Sequence, residues 1–237
     1  MITEENVFFK SDNLLLQGAL AYADDICRGP GVVLCAPHPQ LGGDMENNII
    51  TAIHNRAAAE KIISLRFNYR GVGQSQGLED KQAQKENLKA FWEDSWSPVD
   101  ARRHADALSA ISFLKGLQGL ELDMLFVVGY SFGAYVAQHA AIAHPDLAAL
   151  ILISPTFHFH DFTPLHRITV PKLIISSDND FSCTLEEFAK SYNKISEPKS
   201  LKLFSGSEHF FIGHEDAVSD FVIDFMLRHW AGMEVHG

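Results

Sequence analysis

The chain is poor in the features that mark several common classes of protein. It has three cysteines, Cys27, Cys35 and Cys183, an odd number with no C-x-x-C pairing, so a disulfide scaffold is not built in and a reducing compartment is expected. Basic residues are scarce: 19 Lys and Arg against 30 Asp and Glu leave a formal net charge of -11 with no local basic run, which argues against nucleic acid as a partner. No uninterrupted apolar segment approaches bilayer length, and the start Met1-Ile2-Thr3-Glu4-Glu5-Asn6 lacks the basic and apolar regions of a signal peptide. A cytoplasmic protein without a membrane partner is therefore expected. There is no internal repeat and no low-complexity segment, and 237 residues suit one domain over 1–237.

What the chain does have is an alternation of short apolar runs with helical patterns. Val7 to Lys10 and Leu14 to Ala21 flank a Ser11-Asp12-Asn13 turn and read as an antiparallel pair. Gly31 to Ala36, Ile62 to Phe67, Met124 to Val128, Ala148 to Ile153, Lys172 to Ser176 and Leu201 to Phe204 read as strands. Helical stretches fall between them, over about 46–60, 98–117, 185–194 and 215–230, and directly after Gly133. This order predicts an α/β fold, a mostly parallel sheet with helices on both faces, whose function sits at the C-terminal ends of the strands. Leu78 to Ser97 breaks the rhythm; it is polar and charged, carries Trp92 and Trp96, and reads either as an insertion over the strand ends or as a solvated helix with two buried tryptophans.

The most specific motif is Gly129-Tyr130-Ser131-Phe132-Gly133, set between an apolar strand and a helix. A G-x-S-x-G turn in that setting is a nucleophile elbow, in which glycines relieve crowding around a strained serine and leave its hydroxyl exposed. A serine hydroxyl needs a positioned base, and the base needs a group that fixes its tautomer. Later loops supply both. Asp178 and Asp180 follow the strand ending at Ser176, and His209 follows the strand ending at Phe204. The order Ser131, Asp180, His209 is that of the α/β-hydrolases. Asp180 is preferred as the acid, with Asp178 serving the turn.

An oxyanion formed at such a serine requires two donors. The backbone N–H of Phe132 is one. The other is expected from the loop Pro37-His38-Pro39-Gln40-Leu41-Gly42-Gly43; Pro39 has no N–H, which leaves Gln40 first and Leu41 second, with the His38 ring bracing the loop.

Taken together, Pro37-His38-Pro39-x-x-Gly42-Gly43-x-Met45-x-Asn47, Arg66-Phe67-Asn68-Tyr69-Arg70-Gly71-Val72-Gly73-x-Ser75-x-Gly77, the elbow and Gly206-x-x-His209-Phe210-Phe211 resemble small bacterial α/β-hydrolases of the dienelactone-hydrolase and carboxylesterase neighbourhood. The resemblance spans most of the chain. It implies an eight-stranded sheet, a triad of Ser131, Asp180 and His209, and ester hydrolysis without a cofactor. Two departures are Ala36, where relatives often carry a second histidine, and the longer Leu78 to Ser97 segment.

Other signals are weaker. Phe157-His158-Phe159-His160-Asp161 with His166 has metal-like composition but reads better as an aromatic pocket wall, and no metal is expected. The glycines of 68–77 lack both the Walker ending and the G-x-G-x-x-G spacing of a nucleotide loop. Ser154 to Pro171, where a cap domain usually sits, is too short for a large lid, so a pocket lined by Phe157, Phe159, Phe162 and Trp92 or Trp96 is expected to take small or aromatic acyl esters. Thioester or peptide hydrolysis uses the same machinery, and a non-catalytic binding protein is the competing class.

Overall fold

The computed structural model describes residues 1–77 and 81–234. Its eight strands form one sheet, β1 (Ile2–Ser11), β2 (Leu14–Ala23), β3 (Arg28–Cys35), β4 (Ile63–Phe67), β5 (Glu121–Tyr130), β6 (Ala149–Ile153), β7 (Lys172–Asn179) and β8 (Lys199–Glu208), in the spatial order β1-β2-β4-β3-β5-β6-β7-β8. β1 and β2 are antiparallel to their neighbours and the rest run parallel. This is the α/β-hydrolase arrangement, with no large cap among the described residues. The order reverses after β4, where the chain returns past β3 to β5, so the loops after β3 and β5 open side by side at a switch point. Residues 32–34 of β3, residues 125–128 of β5 and all of β6 are apolar and buried because helices cover both faces.

The helices are α1 (Asn48–Ala59), α2 (Lys81–Asp94), α3 (Asp100–Lys115), α4 (Phe132–Ala143), α5 (Leu185–Lys194) and α6 (Glu215–Glu234). Asn47 caps α1 through its side chain, and Thr184 with Glu187 closes a capping box on α5. The strands extend past the apolar runs that announce them; β5 begins at Glu121 and β8 reaches Glu208. Polar residues join a ladder once their neighbours have fixed it, which apolar periodicity does not register. No helix among the described residues is long and apolar enough to cross a membrane.

Two motif residues of the 66–77 stretch prove to be braces. Arg70 forms a buried ion pair with Asp106 of α3, 2.6 Å apart, and Tyr69 donates its hydroxyl to the carbonyl of Ala36 at 3.2 Å. The glycine-rich loop is thereby tied to the end of β3, beside the site. Leu78 to Ser97 enters the structure as α2; residues 78–80 lie outside the described part, Trp92 is exposed and Trp96 is half-buried, so the reading with two buried tryptophans does not hold.

Candidate active site

Ser131 lies between β5 and α4 with φ 57° and ψ -120°, a backbone conformation that costs a non-glycine residue free energy. The surrounding packing enforces it. A Cβ on Gly129 would collide with the Gly133 carbonyl, and one on Gly133 would collide with the Cys35 carbonyl, so both glycines are required for the elbow to press against β3. The Ser131 N–H is held by the Ile153 carbonyl at 2.8 Å, while its side chain caps nothing and is left for other work.

The loops after β7 and β8 bring the predicted acid and base to this hydroxyl. His209 Nε2 is 3.0 Å from Ser131 Oγ, and His209 Nδ1 is 2.8 Å from Asp180 Oδ1. With Nδ1–H donated to the carboxylate, Nε2 carries a lone pair facing the serine, the tautomer that can accept its proton. Asp178 is elsewhere: it takes hydrogen bonds from Ser205 Oγ and Gly206 N–H in the turn, as the sequence suggested. Burial alone would push the Asp180 carboxyl up, but hydrogen bonds from His209 and Ser182 outweigh it and hold the group below its ordinary value.

Two supporting residues escaped the sequence reading. Ser182 donates both its N–H and its hydroxyl to Asp180 Oδ1, at 2.8 and 2.7 Å, and its oxygen lies 3.2 Å from His209 Nδ1. Tyr130, a variable position of the elbow motif, donates its hydroxyl to the His209 carbonyl at 2.8 Å. The signal for Ser182 was its place two residues after an aspartate in a turn, a spacing at which side chain and backbone commonly bond.

The loop after β3 corrects one expectation. Gln40 N–H is bonded to His38 Nδ1 at 3.1 Å and Leu41 N–H to the His38 carbonyl at 3.0 Å, so neither faces Ser131. The physical reason is a 3-10 turn over Pro39–Leu41, which closes directly after His38 because Pro39 is preset for its first position. The backbone N–H of His38 has no acceptor among the described residues, and His38 borders the same cleft as Ser131. Phe132, at the first position of α4, has its N–H outside the helical ladder.

Behind that loop lies a second carboxylate–imidazole pair. His38 Nε2 is 3.0 Å from Asp100 Oδ1, and Asp100, fully buried, also accepts from Ser97 N–H at 2.6 Å and Ser97 Oγ at 2.9 Å and pairs with Arg103. Because His38 Nδ1 accepts from Gln40, the ring is neutral with its proton on Nε2. Burial, helped by Arg103, pushes its pKa down to about 3. The ring stacks on Phe91 of α2 with centroids 4.3 Å apart and meets Phe132 edge-on at 4.6 Å.

Phe91, Trp92 and Ser95 border the cleft over Ser131, so the cover comes from α2 and its following turn. Phe159 contributes as expected, whereas Phe157 and Phe162 line a separate depression beside α5, and Trp96 packs against the rings of Phe132, Tyr135 and His160. His158, His160 and His166 are each bonded apart, to Glu187, Thr156 and the Thr163 carbonyl, and among the described residues no group of His, Cys, Asp or Glu is placed to hold a metal ion.

Known proteins give the same architecture. A family model described as alpha/beta hydrolase fold matches residues 64–172. Among solved structures, a protein of unknown function from Agrobacterium tumefaciens is 25% identical and superposes with a TM-score of 0.80, covering 96% of this chain and 97% of its own. An alpha-beta serine hydrolase homologue from Coxiella burnetii is 24% identical with a TM-score of 0.75, covering 93% and 96%. Est1E from Butyrivibrio proteoclasticus, with ferulic acid bound, is 17% identical with a TM-score of 0.77, covering 95% and 99%.

Proposed function

We propose, from the premise that the chain is a small protein of the α/β-hydrolase superfamily, that it is a serine hydrolase of carboxylic esters. The observation that carries this reading is the continuous hydrogen-bonded chain Asp180–His209–Ser131 at a strained elbow. In the proposed reaction Ser131 Oγ attacks the ester carbonyl while His209 Nε2 takes its proton, and Asp180 stabilises the imidazolium. The tetrahedral oxyanion is held by the N–H groups of Phe132 and, in place of Gln40, of His38. Collapse breaks the C–O bond, and His209 returns its proton to the departing alcohol. The acyl-enzyme on Ser131 is then cleaved by a water that His209 deprotonates, which releases the acid and restores the serine.

The competing idea of a binding protein on a disused hydrolase fold needs the base out of reach of the serine, and a separation of 3.0 Å counts against it. Aromatic walls and the ferulic acid held by Est1E favour small or aromatic acyl groups. The test is labelling with a fluorophosphonate beside turnover of p-nitrophenyl esters of graded acyl length. Labelling of the folded protein, abolished together with turnover in Ser131→Ala, is expected. An unlabelled Ser131, or activity that survives the substitution, removes the reading; rates rising past about eight carbons would remove the preference for small acyl groups.

A further inference from the structure

Two clefts meet at Ser131. One, of about 180 Å³, runs under α2 between Phe91, Trp92, Phe132 and Phe159. The other, of about 250 Å³, runs between the Gly42–Gly43 bend, Tyr130 and Phe210. They share His38, Leu41, Phe181 and His209, so a molecule bonded to Ser131 Oγ can extend into both. A cavity of ~150 Å³ with apolar walls accommodates a benzene-sized group, and each cleft is therefore sized for about one ring.

The lining of both is as informative in charge as in size. Among the described residues, neither cleft is lined by a Lys, Arg, Asp or Glu; the polar lining is Ser, Thr, Asn, His and Tyr130. Arg103 lies 5.9 Å from the centroid of the Phe132 ring and is already paired with Asp100. A carboxylate or phosphate entering either cleft would lose water and gain no counter-charge. At the mouth, Trp92 and Phe181 are 66% and 67% exposed and Phe210 is half exposed, an apolar rim that an occupant would cover.

We propose that the substrate is an uncharged carboxylic ester with an apolar group of about one ring on each side of the scissile bond. This rests on the ester-hydrolase reading above and narrows it: esters bearing a free carboxylate, and acyl groups delivered on a phosphorylated carrier, are poor substrates.

The test crosses the two sides. Values of kcat/KM are measured for ethyl acetate, benzyl acetate, ethyl 3-phenylpropanoate and benzyl 3-phenylpropanoate, with the native chain, Trp92→Ala and Phe210→Ala. Each ring is expected to raise kcat/KM by about tenfold or more, as burial of a benzyl-sized surface predicts. Trp92→Ala should erase the gain from one ring and Phe210→Ala the gain from the other; both side chains are at least half exposed, so the fold should survive either change. Monoethyl adipate should be turned over at least about tenfold less well than ethyl hexanoate, and 3-phenylpropanoyl-CoA less well than the neutral S-ethyl thioester. A gain from only one ring, both variants acting on the same ring, or a charged substrate matching its neutral counterpart would overturn the proposal. Fluorophosphonate labelling of the same preparations separates the two levels: labelled protein with the wrong selectivity strikes only this inference, whereas unlabelled and inactive protein strikes the hydrolase reading beneath it.

Discussion

Ser131 is flanked by two carboxylate–imidazole pairs of nearly equal geometry, Asp180–His209 at 2.8 Å and Asp100–His38 at 3.0 Å, and they differ in what the second ring nitrogen meets. In the first pair that nitrogen faces a hydroxyl; in the second it is occupied by the Gln40 N–H. An imidazole whose lone pair receives a hydroxyl can take that proton and return it, while one whose lone pair receives a backbone amide in a closed, desolvated network is a strut. The carboxylate alone does not make a histidine a base; the donor on the other side of the ring decides.

The contrast can be broken from either end. Asp180→Asn should lower kcat toward neutral esters by about 10⁴-fold with the fold retained by circular dichroism, because the amide favours the wrong tautomer of His209. A loss below about tenfold would mean that Asp180 is not the orienting group. Asp100→Asn should act first on stability: it leaves Arg103 buried without its counter-charge, a loss of about 3–5 kcal/mol in urea unfolding. If stability is unchanged and only kcat falls, the second pair is not a strut.

Smaller effects sharpen the same distinction. Ser182→Ala removes one of the donors to Asp180 and should lower kcat about tenfold at unchanged KM, with Ser182→Thr restoring most of it. The pH profile of stability reads the strut. Burial, the largest cause in each, pushes His38 to about 3 and His104 and His160 to about 4, from an ordinary 6.5. The unfolded chain takes up protons below 6.5 that the native state refuses, so this stability is complete above pH 6.5 and is lost as the pH falls toward 3–4. His38→Gln should make the decline shallower by about 1 kcal/mol per pH unit, measured by urea unfolding at pH 7, 6 and 5. An unchanged slope would place the proton uptake elsewhere.

Which parts were legible in the sequence follows from how far each contact reaches. The succession of strands and helices could be read from the apolar runs, and Ser131, Asp180 and His209 could be singled out because each sits just past such a run, where strand ends in such sheets converge. Gln40 misled because a list of available N–H groups does not show which way a turn closes; with proline at 37 and 39 the chain folds its next donors back onto His38. Asp100 was passed over because its partner His38 is 62 residues away and its own surroundings, Ser97-Pro98-Val99, look like an ordinary helix start. Leu78 to Ser97 left two readings open in the sequence and offered Trp92 or Trp96 as a wall of the pocket; Trp92 is the one that borders the cleft, together with Phe91, which the sequence did not single out, while Trp96 packs against Tyr135.

Phe91 lying flat on His38 also bears on how such a protein can be altered. In many scaffolds the element that chooses the guest and the element that performs the reaction can be exchanged separately. Here the ring that helps to wall the cleft is also the floor on which the β3 loop rests. Grafting a different α2 to broaden selectivity would therefore retune the reaction centre at the same time, and libraries that vary Phe91 should trade turnover against breadth where libraries at Trp92 do not.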